Sequence, residues 1–201
     1  QMSAFDLVFA VFGLLLGLAL CEVLAGFARV LKLKRGARPA RIGWLTPLLG
    51  LFVMLDLTSF WGLAFMARDQ MDASYLTLAI VLAITGGYYL VASLIFPDDP
   101  EDWPDFDLWY ERQKHMVIGG LLSINIVTMI ATSILDALRP VPQAPPGPAG
   151  EVGFLIYGLG AMALFMLLIA LFFVRNRPSN VAMLAALNLI LLGTSILEDF
   201  I

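Results

Sequence analysis

The chain has one cysteine, Cys21, and one histidine, His115, and only 14% of its 201 residues are charged. A lone cysteine excludes an internal disulfide. A single imidazole removes the ligand sets from which zinc and haem sites are built. No cofactor and no metal is therefore expected. The acidic run Asp98, Asp99, Glu101, Asp102 lacks the spacing and central glycine of a calcium loop. Cys21 and His115 are the one thiol–imidazole pair on offer, but they fall at different depths of the apolar segments described below. No catalytic residue is assigned, and the chain is expected not to be an enzyme. Its net charge of −4 argues against nucleic acid as a partner.

Apolar residues fill the place of the missing charge. The chain is 60% hydrophobic, with a mean hydropathy of +0.88, where soluble domains run at about 45–50% apolar and about 25% charged. Six stretches approach the roughly 20 apolar residues that a spanning helix needs: 5–31, 44–66, 75–96, 115–138, 153–174 and 180–197. None alternates as a barrel strand would, and an open strand in lipid leaves backbone groups unpaired. The expected fold is all-α: one polytopic bundle of six transmembrane helices in a single integral membrane domain, 2–201, with Met2 as the natural start. The first segment has no basic residue before it. It also outruns the about 7–15 apolar residues of a signal core, so it reads as a retained span.

Lysine and arginine placement orients the bundle. The first connection carries Arg29, Lys32, Lys34, Arg35, Arg38 and Arg41; the third carries Arg112 and Lys114; the fifth carries Arg175 and Arg177. Only Arg68 and Arg139 lie on the other side. The positive-inside rule then puts the odd-numbered connections in the cytoplasm and both termini on the non-cytoplasmic side of a bacterial-type inner membrane. The connection 139–151 is proline-rich, extended and periplasmic on this reading. It separates two groups of three spans, between which no residue-level repeat is visible.

The third connection, 97–115, carries seven acids. Asp105 is placed to cap a short helix, with Phe106, Trp109 and Tyr110 at the lipid interface. These acids either pair with the basic first connection or form a solvated loop held off anionic lipid. Trp44, Trp61, Trp103, Trp109, Tyr88 and Tyr89 read as interfacial belt residues.

Charges and amides at membrane depth are the candidate site. Asp56 lies near the centre of the second span, where a charge costs about 2.5–3.5 kcal/mol on insertion scales. Glu22 lies on the cytoplasmic side of the first span's centre. Ser59 follows Asp56 by one turn, and Asn125 and Asn188 bring amides into the fourth and sixth spans. A shared interior polar layer is the economical expectation. It supports a small inner-membrane transporter or channel subunit, with Asp56, Glu22, Ser59, Asn125 and Asn188 binding a proton, cation or small solute. The same residues also suit interhelical glue, with Glu22 paired to Arg29, or a site for a bound pigment, lipid or cofactor. The alternative function is a non-enzymatic assembly, sensor or accessory subunit acting through its charged cytoplasmic connections, Lys32–Arg41 and Pro97–His115. Gly13, Gly17, Cys21 and Ala25 form a small-residue stripe, expected to pack inside the chain or to join a homodimer. The bilayer itself is the remaining partner.

Overall fold

A computed structural model describes residues 4–36, 41–140 and 148–198. Arg38, and 141–147 of the proline-rich connection, lie outside the described residues. Six helices follow one another: α1 (Ala4–Arg35), α2 (Leu45–Met66), α3 (Tyr75–Ile95), α4 (Phe106–Leu138), α5 (Pro148–Phe173) and α6 (Arg177–Glu198). Single 3₁₀ turns, Ala67–Asp69 and Pro100–Asp102, sit between α2 and α3 and between α3 and α4. No strand occurs among the described residues. Arg41 and Asp105 form one isolated bridge. The shortest helix, α3, has 21 residues, or about 31 Å of rise, which matches the roughly 30 Å hydrocarbon core. All six helices are long and apolar enough to cross a membrane. The chain is a multi-pass helical membrane protein.

The helices coincide with the expected spans except at some of their ends. The fourth begins at Phe106 rather than His115, because the short helix foreseen at Asp105 runs on into the span. The Asp105 side chain caps it by accepting from the Asp107 N–H at 2.9 Å, a standard N-cap arrangement. α1 continues through Lys32, Lys34 and Arg35 in its last turn, where cations complement the helix dipole.

α3 packs between α1 and α4, α2 lies on α6, and α5 rests on α6 and α4. The interior is built from one stripe of each helix. Val23, Phe52, Val53, Leu121, Leu171 and Leu187 are among its most buried residues. α5 gives the interior little beyond Leu168 and Leu171, and its Phe154, Leu159, Met162 and Met166 face outward. In lipid such exposure carries no hydrophobic penalty, since the acyl chains are as apolar as the side chains.

The small-residue stripe of α1 is only partly internal. Gly13 lies directly under the Trp61 ring, whereas a Cβ on Gly17 would meet nothing, and Cys21 and Ala25 are exposed. Four-residue spacing rotates a position by about 40° per step around an α-helix, so the stripe turns away from α2 as it descends. The buried edge passes instead through Leu16, Ala19, Val23 and Val30. Gly13→Leu should overpack against Trp61 and cost about 1–3 kcal/mol, while Gly17→Leu should stay within about 0.5 kcal/mol. Thermal unfolding of both variants in detergent measures the difference.

Candidate functional site

Asp56 sits on the inward face of α2 and is 7% exposed. Its Oδ2 accepts two hydrogen bonds, from the Tyr88 hydroxyl of α3 at 2.9 Å and from the Asn125 amide of α4 at 3.1 Å. The same amide nitrogen also donates to the Leu121 carbonyl at 3.0 Å. One carboxyl oxygen thus fastens three helices. Tyr88 is 1% exposed and its ring packs against Phe60, with centroids 5.7 Å apart. A polar group in an apolar interior costs several kcal/mol without a partner, and here each donor finds the acceptor it needs.

Tyr88 was not singled out by the sequence reading, which placed it with Tyr89 in the interfacial belt. A signal was present. Adjacent helical residues point about 100° apart, so Tyr88 and Tyr89 sit on different faces of α3. Tyr88 shares the apolar face of Ile84, Val91, Ala92 and Ile95, all buried, and Tyr89 is the exposed one of the pair.

The expected shared layer is narrower than its five residues. Asp56 and Asn125 meet; Glu22, Ser59 and Asn188 do not join them. Glu22 pairs along α1 with Arg29 at 3.6 Å, with both side chains about one-third exposed. Ser59 faces Ser195 of α6, with their hydroxyl oxygens 3.4 Å apart. Asn188 donates to the Leu48 carbonyl of α2 at 3.1 Å and to Leu184 at 2.8 Å. Leu48 lies about 12 Å by helical rise from Asp56 along α2. The hydroxyls of Ser123, Thr128, Thr132 and Thr85 are spent on their own helices' carbonyls, a common use in apolar surroundings.

Cavities lie on two sides of the Asp56 link. A groove of about 490 Å³ runs between α3 and α4, and a pocket of about 30 Å³ lies between α1, α2 and α3 near Trp61. Gly87 and Ile124, the chain neighbours of Tyr88 and Asn125, line the groove; Asp56 and Glu22 line neither cavity.

Outside the bundle, charge is organised at both ends. At the junction end the first, third and fifth connections meet. Arg41 N–H donates to Pro104 at 2.8 Å, and Phe106 N–H donates to Arg41 at 2.9 Å. The Arg41 guanidinium lies 3.7 Å from Asp105, and Arg177 pairs with Asp107. Gly43 has φ +61°, and its missing side chain leaves the space that the Asp107 carboxylate occupies. A Cβ there would be strained by conformation and blocked by that carboxylate. Lys114, 1% exposed, donates to the Val174 carbonyl at the end of α5 and lies 3.7 Å from Glu111, a cation where the helix dipole is negative. Tyr110 donates to Asn180 at 3.1 Å, and Asn180 donates to Val174 at 3.0 Å. His115 meets the Phe172 carbonyl at 3.1 Å, and Cys21 is on the outer surface of α1.

At the opposite end Arg139 clasps the α2–α3 connection. It donates to the Gln70 carbonyl at 2.7 Å and pairs with Asp72 at 2.5 Å, while Gln70 donates to Asp136 at 2.9 Å. The Thr77 and Ser74 hydroxyls, and then Arg139, hold the Asp72 carboxyl well below the usual carboxylate range. No group of three His, Cys, Asp or Glu that could hold a metal ion occurs among the described residues.

Two predictions follow from these contacts. Tyr88→Phe and Asn125→Leu should each lower stability by about 0.5–2 kcal/mol. Asp56→Ala should cost more, since it strands both donors; chemical unfolding in detergent micelles gives the values. Asp72 is depressed in the folded state, so its contribution is present above its unfolded value, about 3.9, and fades as pH falls below that. The melting-temperature gap between wild type and Asp72→Asn should therefore be widest near neutrality and narrow below about pH 4. Comparison with protein-family models, with curated proteins and with solved structures finds no match.

Proposed function

We propose that this chain is a non-enzymatic accessory or assembly subunit of a bacterial-type inner membrane, acting through the charged connections at its junction end. The ten-to-two division of lysine and arginine puts that end in the cytoplasm by the positive-inside rule. The observation that carries the reading is the contrast between interior and end. The interior acid is closed by Tyr88 and Asn125 and borders neither cavity. The junction end is braced by backbone bonds and ion pairs, yet leaves Lys32, Lys34 and Arg35 and the acids Asp98, Asp99, Glu101 and Asp102 exposed. A braced face that carries both exposed bases and exposed acids suits recognition of a complementary protein surface.

Transport is the second reading, favoured by one observation. The floor of the α3–α4 groove is one residue away from Tyr88 and from Asn125 along the chain, so a small shift of Ile124 would bring Asp56 toward the groove. In this reading Asp56 binds the proton or cation.

Neutralising Asp98, Asp99, Glu101 and Asp102 together should abolish co-purification of a stoichiometric partner from native membranes and leave the melting temperature unchanged. In proteoliposomes, proton and cation flux should be the same for wild type and Asp56→Asn. An unchanged partner profile with flux that disappears in Asp56→Asn would replace the accessory reading with transport.

A further inference from the structure

The α3–α4 groove has a chemistry of its own. It is walled by apolar side chains, Leu90, Val91 and Met116 among them, with Ser123 at its edge. Leu90 and Met116 are 65% and 62% exposed, so the groove opens toward lipid. It reaches the junction end at Leu94 and Met116. There the α4 surface changes character. Residues three or four apart share a helix face, so Arg112 and Trp109 continue the line of Met116 toward the end of the helix. The Trp109 indole donates to the Ile95 carbonyl at 3.1 Å, next to Leu94. Its ring meets Trp103 edge-on with centroids 5.0 Å apart, and the Arg112 guanidinium lies 5.7 Å from the Trp103 ring.

Charge accounting singles out Arg112. Asp105 is paired with Arg41, Asp107 with Arg177, and Glu111 with Lys114. Arg112 makes no ion pair among the described residues, and it is exposed. An apolar slot open to lipid thus ends in two tryptophans and a guanidinium that has no ion pair among the described residues.

We infer that this groove holds one zwitterionic glycerophospholipid, with an acyl chain in the slot, the glycerol region on the tryptophans and the phosphate on Arg112. Arginine matches phosphate oxygens in a forked geometry, and indoles settle where acyl chain gives way to headgroup. The exposed acids just before Trp103, Glu101 and Asp102, disfavour a headgroup of net negative charge and suit one that ends in an ammonium. This site shares Glu101 and Asp102 with the accessory reading, but it rests on the groove and Arg112, and the test below leaves both acids in place.

The test is native mass spectrometry of the purified full chain in mild detergent, titrated with dioleoyl phosphatidylethanolamine or with dioleoyl phosphatidylglycerol. The expected result is one saturable phosphatidylethanolamine adduct. Arg112→Gln should weaken it about tenfold, and Ser123→Phe, which fills the groove from its lipid side, should remove it. Arg175→Gln, an exposed cation at the same end, should bind as wild type. Equal binding by all variants would overturn the site. Tighter binding of phosphatidylglycerol would overturn the headgroup assignment. A wild-type dimer that Ser123→Phe converts to monomer would show that a second copy, not a lipid, fills the groove.

Discussion

Hydrocarbon cannot hydrogen-bond, and that single constraint organises the molecule. A polar group carried into the apolar layer is costly unless it finds a partner inside the protein. Backbone groups meet the demand by forming helices, and hydroxyls by bonding back to their own turn. Asp56, a carboxylate carried deep into the bundle, meets it by drawing Tyr88 and Asn125 onto one oxygen. α2, α3 and α4 are thereby set against one another at a defined height. Asn188 repeats the device more weakly, reaching from α6 to the Leu48 carbonyl of α2.

The two ends obey different rules because water is available there. An exposed ion pair contributes only about 0–1 kcal/mol, so charge alone would hold the connections loosely. The junction end supplements its ion pairs with backbone bonds between Arg41 and the Pro104–Phe106 segment, and with Gly43, whose bare Cα admits Asp107. Lys114 and Asn180 then tie the α5–α6 turn to α4 through the Val174 carbonyl. α5, whose outward face is almost wholly apolar, is held largely through this turn and its packing on α6 and α4. The opposite end has a comparable device, the Arg139 clasp on Gln70 and Asp72.

The six helices were legible because hydropathy and length respond to the same solvent that selects the fold. Helix ends were less so. The cap at Asp105 is local and legible, but the run of that helix into the span goes with Tyr110 and Lys114 reaching the α5–α6 turn, contacts to residues far away in the chain. The site was half legible. The cost of Asp56 at depth demanded a partner, and Asn125 lay at a matching depth. Tyr88 was hidden by its neighbour Tyr89, since tyrosine serves both buried and interfacial positions. Glu22, Ser59 and Asn188 shared the polarity of the layer without its location: depth alone does not say toward which neighbour a helix turns a side chain. The α1 stripe is internal only at Gly13, as four-residue spacing drifts around the helix while a packing face must stay in place.

The accessory reading rests on an acid fastened between helices and on a braced, charged end. The most direct measurement is water access to the Asp56 position. In a Cys21→Ala background reconstituted in bilayers, Asp56→Cys should stay unreacted toward a charged, water-soluble thiol reagent under conditions that fully label Gly36→Cys. Rapid labelling at both positions would mean that water reaches the centre of the bundle, and the account of Asp56 as a closed polar link would be wrong.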